Sequence, residues 1–368
     1  MPVRAIRATG LAAALGLLLS ALPVTLTATA PAADAVAPPK PRWDTRVVQL
    51  GDSYSTGNGA GQYTETTCFR SPLNYGRRVA TALRAQYVDV ACSGGVTADL
   101  THPRPLGAPV PRTTTYRVGS TGDAAAAWTA AAKKDRLCGD PAQPDWYYDY
   151  RVGAVVTAGP LATATVSCQL TARAQVEAVT PATDVVLLTI GGNDLGFSGI
   201  VTQCFVLRSA AGCERQIDAA DAVLPRLRSE AQDALAEVDR RSRGRAQVYL
   251  LGYPYLMDRS SYGLPEAAPT YDAGAALEAL QDRGDEVQQQ TMDDANRATG
   301  STRYHFVDTV KERWGGHEHG LDPRSTLPDN RDAWLVPVGA PGRVIQEWVH
   351  PTTKGWRASA DAVLAEIR

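Results

Sequence analysis

No two cysteines in this chain stand in a Cys-x-x-Cys pair, which argues against a zinc site. Charge of either sign is not in excess. The 37 Lys and Arg against 39 Asp and Glu leave a net −2, too weak a field to favour nucleic acid or an anionic membrane. Beyond the first few dozen residues no apolar run is long enough to cross a bilayer, and there is no internal repeat. What remains is 44% hydrophobic residues in 368, ordinary for a globular protein with a large core.

The N-terminus sets a cellular context. Arg4 and Arg7 precede an apolar run from Gly10 to about Leu26, and small residues follow, with Ala33-Asp34-Ala35 as the better cleavage box. Residues 1–35 are expected to be a signal peptide and 36–44 a short extended linker. The run is slightly short for a span and contains Pro23, so secretion is expected and a permanent membrane anchor is not. Removing residues 1–35 takes away Arg4, Arg7 and Asp34, leaving 35 basic and 38 acidic groups. Six cysteines in an exported chain imply three disulfides. Fifteen pairings are possible; the nearest-neighbour set, Cys68–Cys92, Cys138–Cys168 and Cys204–Cys213, closes the shortest loops.

Short apolar stretches at 46–50, 87–91, 184–190, 247–251 and 304–307 read as buried strands. Helical stretches at 73–84, 214–241, 274–297 and 353–366 lie between and after them. That alternation predicts a five-stranded parallel sheet covered by helices on both faces, a flavodoxin-like three-layer α/β sandwich. Ligands bind such sheets at the carboxyl ends of the strands. Residues of about 98–170 break the rhythm with an Ala-rich helix over 123–137, the aromatics Tyr147, Tyr148 and Tyr150, and a hairpin, "VGAVVTAGPLATATVSC". They are expected to form an inserted, cap-like subdomain over the site or beside it.

Four segments carry the chemistry. The first strand ends in "GDSYS", placing Ser53 at the sheet's carboxyl edge. This is not a Gly-x-Ser-x-Gly elbow, because Ser55 holds the last glycine's place. The second strand ends in "CSGG", the third in "GGND", and "EWVHPTT" stands near the C-terminus. Each alone reads as a turn. In this order and at strand ends, they resemble the four signature blocks of the SGNH (GDSL) hydrolases, most closely the secreted, disulfide-bonded bacterial esterases, lipases and phospholipases. The resemblance extends to "VYLLGYPYLM" and "GGHEHG", and covers 45–368 apart from the insertion.

The resemblance implies ester hydrolysis without a cofactor or metal. Ser53 would be the nucleophile and His350 its base. The backbone N–H groups of Ser53 and Gly94 and the side-chain amide of Asn193 would form the oxyanion hole. Where the family has Asp three residues before its histidine, this chain has Glu347, so Glu347 is the expected third member, with a backbone carbonyl such as that of Trp348 as the alternative. Asp52 and Asp194 are expected to brace loops. His317-Glu318-His319 has the look of metal ligands but no evident third partner. The family's cysteine in that segment is Gly320 here, which leaves Cys138 and Cys168 to form a bridge of their own. The expected substrate is a small-molecule or lipid-type acyl ester, met by a monomer. A carbohydrate acetylesterase on the same fold is the enzymatic alternative, and a catalytically silent binding module the other.

Overall fold

The computed structural model describes residues 44–117, 124–264, 271–324 and 330–367; the expected leader and all but the last residue of the expected linker lie outside them. The chain enters on β1 (Arg46–Gly51) and makes one helical turn, α1 (Ser53–Thr56). It continues through α2 (Tyr75–Ala82), capped by Asn74, whose side chain accepts the Arg77 N–H at 2.7 Å, to β2 (Gln86–Asp89). The inserted segment follows: β3 (Arg104–Pro105), β4 (Val110–Arg117), α3 (Ala124–Lys134), β5 (Trp146–Ala158) and β6 (Leu161–Ala172). Next come β7 (Val185–Thr189), α4 (Phe197–Ile200), a π-helical turn over Val201–Val206, α5 (Ala210–Asp221) and α6 (Leu224–Ser242). β8 (Gln247–Leu251) leads to a ribbon of β9 (Gly263–Leu264) and β10 (Tyr271–Asp272), then to α7 (Ala273–Thr299) and β11 (Tyr304–Val307). The short α8 (Val310–Arg313) and α9 (Thr353–Glu366) come last.

The central sheet has the order β2-β1-β7-β8-β11, and its pairings are all parallel. Successive side chains point to opposite faces, so each strand feeds two cores. Val47, Leu187 and Leu251 join Tyr75, Leu277 and Trp356 on one side; Val48, Leu188 and Leu250 join Leu235, Val238 and Met292 on the other. This is the expected three-layer α/β sandwich. The strands fall within two residues of the sequence reading. The helix expected over 214–241 is two helices, because the chain turns at 222–223 and Pro225 opens α6, where a missing N–H costs no helical bond.

The insertion is a sheet of order β3-β6-β4, with β5 pairing the other edge of β6 in an antiparallel hairpin. It has its own small core of Trp128, Ala162 and Ala164 and its own bridge, Cys138–Cys168. The other bridges are Cys68–Cys92 and Cys204–Cys213, so all three pairs are the expected ones. Among the described residues, no helix is long and apolar enough to cross a membrane.

Candidate active site

Gly51 ends β1 at φ +117°, and a Cβ there would lie 2.2 Å from the Thr189 carbonyl oxygen on β7. Only glycine fits so close a turn. The turn delivers Asp52 and Ser53 to the carboxyl edge of the sheet, where sequence and topology together place a site. Asp52 caps the Tyr54 N–H at 2.9 Å and accepts from the Thr189 hydroxyl at 2.8 Å and the Tyr253 hydroxyl at 2.6 Å. Burial pushes its carboxyl up to about 6, against the pull of those three donors. Tyr253 in turn accepts the Gly192 N–H at 3.2 Å. One phenol thus ties the end of β1 to the Gly191-Gly192-Asn193 turn after β7.

The Ser53 hydroxyl lies 2.8 Å from His350 Nε2, and both residues are buried. The other ring nitrogen, Nδ1, lies 2.8 Å from the Trp348 carbonyl oxygen. A carbonyl can only accept, so Nδ1 carries the hydrogen and Nε2 presents its lone pair to the serine. The backbone achieves this with a residue in an unusual conformation. Val349, between the two, has φ +59°, where a β-branched side chain is strained. Val349 N–H bonds the Val336 carbonyl at 2.7 Å, its own carbonyl accepts from the Tyr54 hydroxyl, and its side chain is fully buried. These contacts hold the turn that folds the imidazole back onto residue 348.

The expected bond from His350 to Glu347 is absent: the geometry corrects that expectation. The Glu347 carboxylate accepts instead from the Tyr63 hydroxyl at 2.5 Å, from Arg343 Nη1 at 3.1 Å and from the Val344 N–H at 3.2 Å. Its short 3₁₀ turn points it away from the ring toward the 57–63 loop, so its role is to join that loop to the histidine loop. Burial pushes His350 down to about 4; the bond to the Trp348 carbonyl and, last, the nearby Glu347 charge oppose this.

The expected oxyanion groups converge on the same edge. A Cβ on Gly95 would lie 3.1 Å from the Gly51 carbonyl oxygen, which sets the Ser93-Gly94-Gly95 turn against the turn that carries Asp52 and Ser53. Asn193 Nδ2 donates to the Gly95 carbonyl at 2.8 Å, which leaves the amide a second hydrogen. Among the described residues, the N–H groups of Ser53 and Gly94 have no acceptor. Asp194 accepts from the Thr97 N–H and hydroxyl at 3.0 and 3.1 Å, bracing the two turns as expected.

Beside Ser53 and Asn193 opens a small cavity of about 80 Å³. Phe197, Ile200, Leu227, Leu256, Leu277 and Leu280 form its apolar walls. One stripe of α7, from Leu277 through Gly284 to Gln288, runs its length. Among the described residues, none of the insertion lines this cavity. Tyr147 instead packs under the Arg173 guanidinium, and Tyr150 faces Lys133. His317 and His319 are also committed elsewhere. Their Nδ1 atoms lie 2.8 Å from the Met257 and Asp332 carbonyl oxygens, and their rings stack on Tyr255 and Trp334. Among the described residues, no group of three or more His, Cys, Asp or Glu could hold a metal.

Sequence reasoning passed over Tyr253, Tyr63, Arg343 and Arg104. Tyr253, Tyr63 and Arg104 act through contacts across eleven or more residues of chain, which no local spacing betrays, whereas Arg343 stands four residues before Glu347, a spacing that could have been read.

No protein-family model and no curated protein matches the sequence. Solved structures do. The extracellular lipase from Streptomyces rimosus is 23% identical, with a TM-score of 0.56 over 88% of this chain and 100% of that one. Phospholipase A1 from Streptomyces albidoflavus NA297 is 22% identical, with a TM-score of 0.55 over 87% of this chain and 98% of that one. At these identities the likeness establishes the fold, which is the fold the motifs led us to expect.

Proposed function

We propose that this protein is a serine-dependent carboxylic ester hydrolase of the SGNH type, exported from the cell and acting on lipid-type acyl esters. The observation that carries the reading is the 2.8 Å contact between Ser53 Oγ and a His350 Nε2 whose tautomer the Trp348 carbonyl fixes. Ser53 attacks the ester carbonyl while Nε2 takes its proton; the imidazolium then returns that proton to the departing alcohol, and water repeats the cycle on the acyl-enzyme. Because His350 is held down to about 4, it is neutral and ready as a base at pH 7. The Ser53 and Gly94 N–H groups and the Asn193 amide receive the oxyanion, each worth ~2.7–4 kcal/mol of transition-state stabilisation. The catalytic unit is a Ser–His pair with a carbonyl in the third place.

The apolar cavity supports an acyl chain in preference to a sugar, whose hydroxyls would find few partners among Phe197, Ile200 and the four leucines. Gly284 supports the same view. A glycine in the middle of a long helix costs about 1 kcal/mol relative to alanine. Here a Cβ would meet nothing within 4 Å, so no close packing requires the glycine and open space is what it preserves. Three disulfides and the N-terminal charged-then-apolar segment support export. Rates on short and long 4-nitrophenyl esters and on acetylated xylan, each with the Ser53→Ala control, test the assignment. Xylan deacetylation faster than acyl-ester cleavage would overturn the lipid-type substrate, and an active alanine variant the mechanism.

A further inference from the structure

The Gly94 N–H is the least secured part of this site. Gly94 has φ +74° in an exposed turn, and a rotation of the Ser93–Gly94 peptide would swing its N–H out of the site at little steric cost. The neighbouring groups are all tied. The Ser93 N–H donates to the Cys68 carbonyl at 3.0 Å, and the Ser93 hydroxyl accepts from Asn58 Nδ2 at 3.0 Å. The Gly95 N–H donates to the Cys92 carbonyl at 2.9 Å, and the Gly95 carbonyl accepts from Asn193. None of these contacts fixes the plane of the peptide between Ser93 and Gly94.

Arg104 does. Its Nη2 donates to the Ser93 carbonyl at 3.0 Å and lies 3.2 Å from where a Cβ on Gly94 would stand. The carbonyl of residue 93 and the N–H of residue 94 belong to one trans peptide and point in opposite directions. Holding the carbonyl on one side therefore aims the N–H to the other. The guanidinium is fixed in turn. Its Nη1 pairs with Asp99 at 3.5 Å, and Asp99 also accepts the Val96 N–H at 2.9 Å. The backbone of Arg104 is anchored opposite Ala172 in β3. A cationic donor on the carbonyl also polarises the amide and strengthens its N–H as a donor, by about 10–30% for a hydrogen-bonded chain.

We propose that Arg104, supplied by the first strand of the insertion, is a positioning residue. It acts through the Ser93–Gly94 peptide to aim and polarise the Gly94 N–H at the developing oxyanion. This rests on the ester-hydrolase reading, and it gives the insertion a part in the reaction that does not depend on covering the cavity. The effect belongs to the transition state, because the N–H bonds an oxyanion more strongly than a neutral carbonyl. It should therefore appear in kcat and not in KM.

The test is steady-state kinetics of Arg104→Met and Arg104→Lys on 4-nitrophenyl butyrate. That substrate carries no charge, so a lost anion contact cannot explain a loss of rate. Arg104→Met, which has no donor, should lower kcat about tenfold with KM within twofold of wild type. Arg104→Lys, whose ammonium can still donate to the Ser93 carbonyl, should recover kcat to within about threefold. A Met variant with wild-type kcat, a Lys variant no better than Met, or a loss confined to KM would overturn the proposal. Should Arg104→Met fail to fold, Arg104→Gln carries the same test, with an expected loss of about fivefold and wild-type kcat as the refuting result. A wild-type protein that cleaves no ester refutes the hydrolase reading and this inference with it. An active wild type with an equally active Met variant refutes the role of Arg104 alone.

Discussion

Replacing Glu347 with glutamine sets two roles for one carboxylate against each other. If Glu347 oriented the imidazole, the substitution would offer Nδ1–H a weaker, neutral acceptor or a competing donor, and kcat would fall by orders of magnitude. In the structure the carboxylate instead holds Tyr63, Arg343 and the Val344 N–H, and its charge is the smallest of the three influences on His350. Glutamine can satisfy at most part of that set, since its amide nitrogen would face a donor. Breaking a buried ion pair costs ~3–5 kcal/mol, but Arg343 is a third exposed while Glu347 is 5% exposed, so solvent screening reduces the expected loss to about 1–2 kcal/mol. At roughly 2 °C per kcal/mol for a domain of this size, the melting temperature should drop by about 2–4 °C. The rate should not follow it. The Trp348 carbonyl is unchanged, so kcat on a short-chain ester should stay within about threefold, or roughly 0.7 kcal/mol. Calorimetry and steady-state kinetics on the same preparation read both numbers. A hundredfold loss of kcat with an unaltered melting temperature would refute this assignment and restore Glu347 to the histidine.

Two further perturbations probe other parts of the account. The base must be neutral to accept the serine proton, and burial holds His350 down to about 4, so kcat/KM should stay level from pH 8 to about 5 and be lost as pH falls through 4; an acid limb near 6 would instead point to Asp52, whose carboxyl is pushed up to about 6. Gly284→Leu should put a side chain into open space along the cavity and lower the ratio of kcat/KM for dodecanoate over butyrate esters at least tenfold, without lowering the melting temperature, since leucine favours a helix interior more than glycine does. An unchanged chain-length profile would show that the acyl chain lies elsewhere.

Much of this could be read from the chain because the fold concentrates its chemistry at strand ends, and strand ends are marked locally. Gly51 and the Gly191-Gly192 pair mark tight turns that lead into Asp52-Ser53 and Asn193, and Gly94 is itself one of the expected site residues. The disulfides followed from loop closure. The reading failed where neighbours are set by tertiary contacts. A fixed spacing put Glu347 on the histidine. The left-handed conformation of Val349 decided otherwise, and no sequence rule assigns that conformation to a buried valine. Pro225 could have signalled the break between α5 and α6, since it fits a helix start better than an interior. Whether the insertion covers the site or stands beside it was not legible: strand pairing in the insertion could be read, but the direction in which a hairpin leaves the sheet could not.

The central claim is that Ser53, activated by His350, forms the covalent intermediate, and a fluorophosphonate tests it directly. Incubating wild type, Ser53→Ala and His350→Ala with the reagent, then mapping labelled peptides by mass spectrometry, should show one adduct per wild-type chain, on Ser53. The adduct should be absent from the alanine variant of the serine and should form far more slowly without the histidine, in step with lost esterase activity. An adduct on any other residue, or esterase activity that survives in Ser53→Ala, would contradict the account.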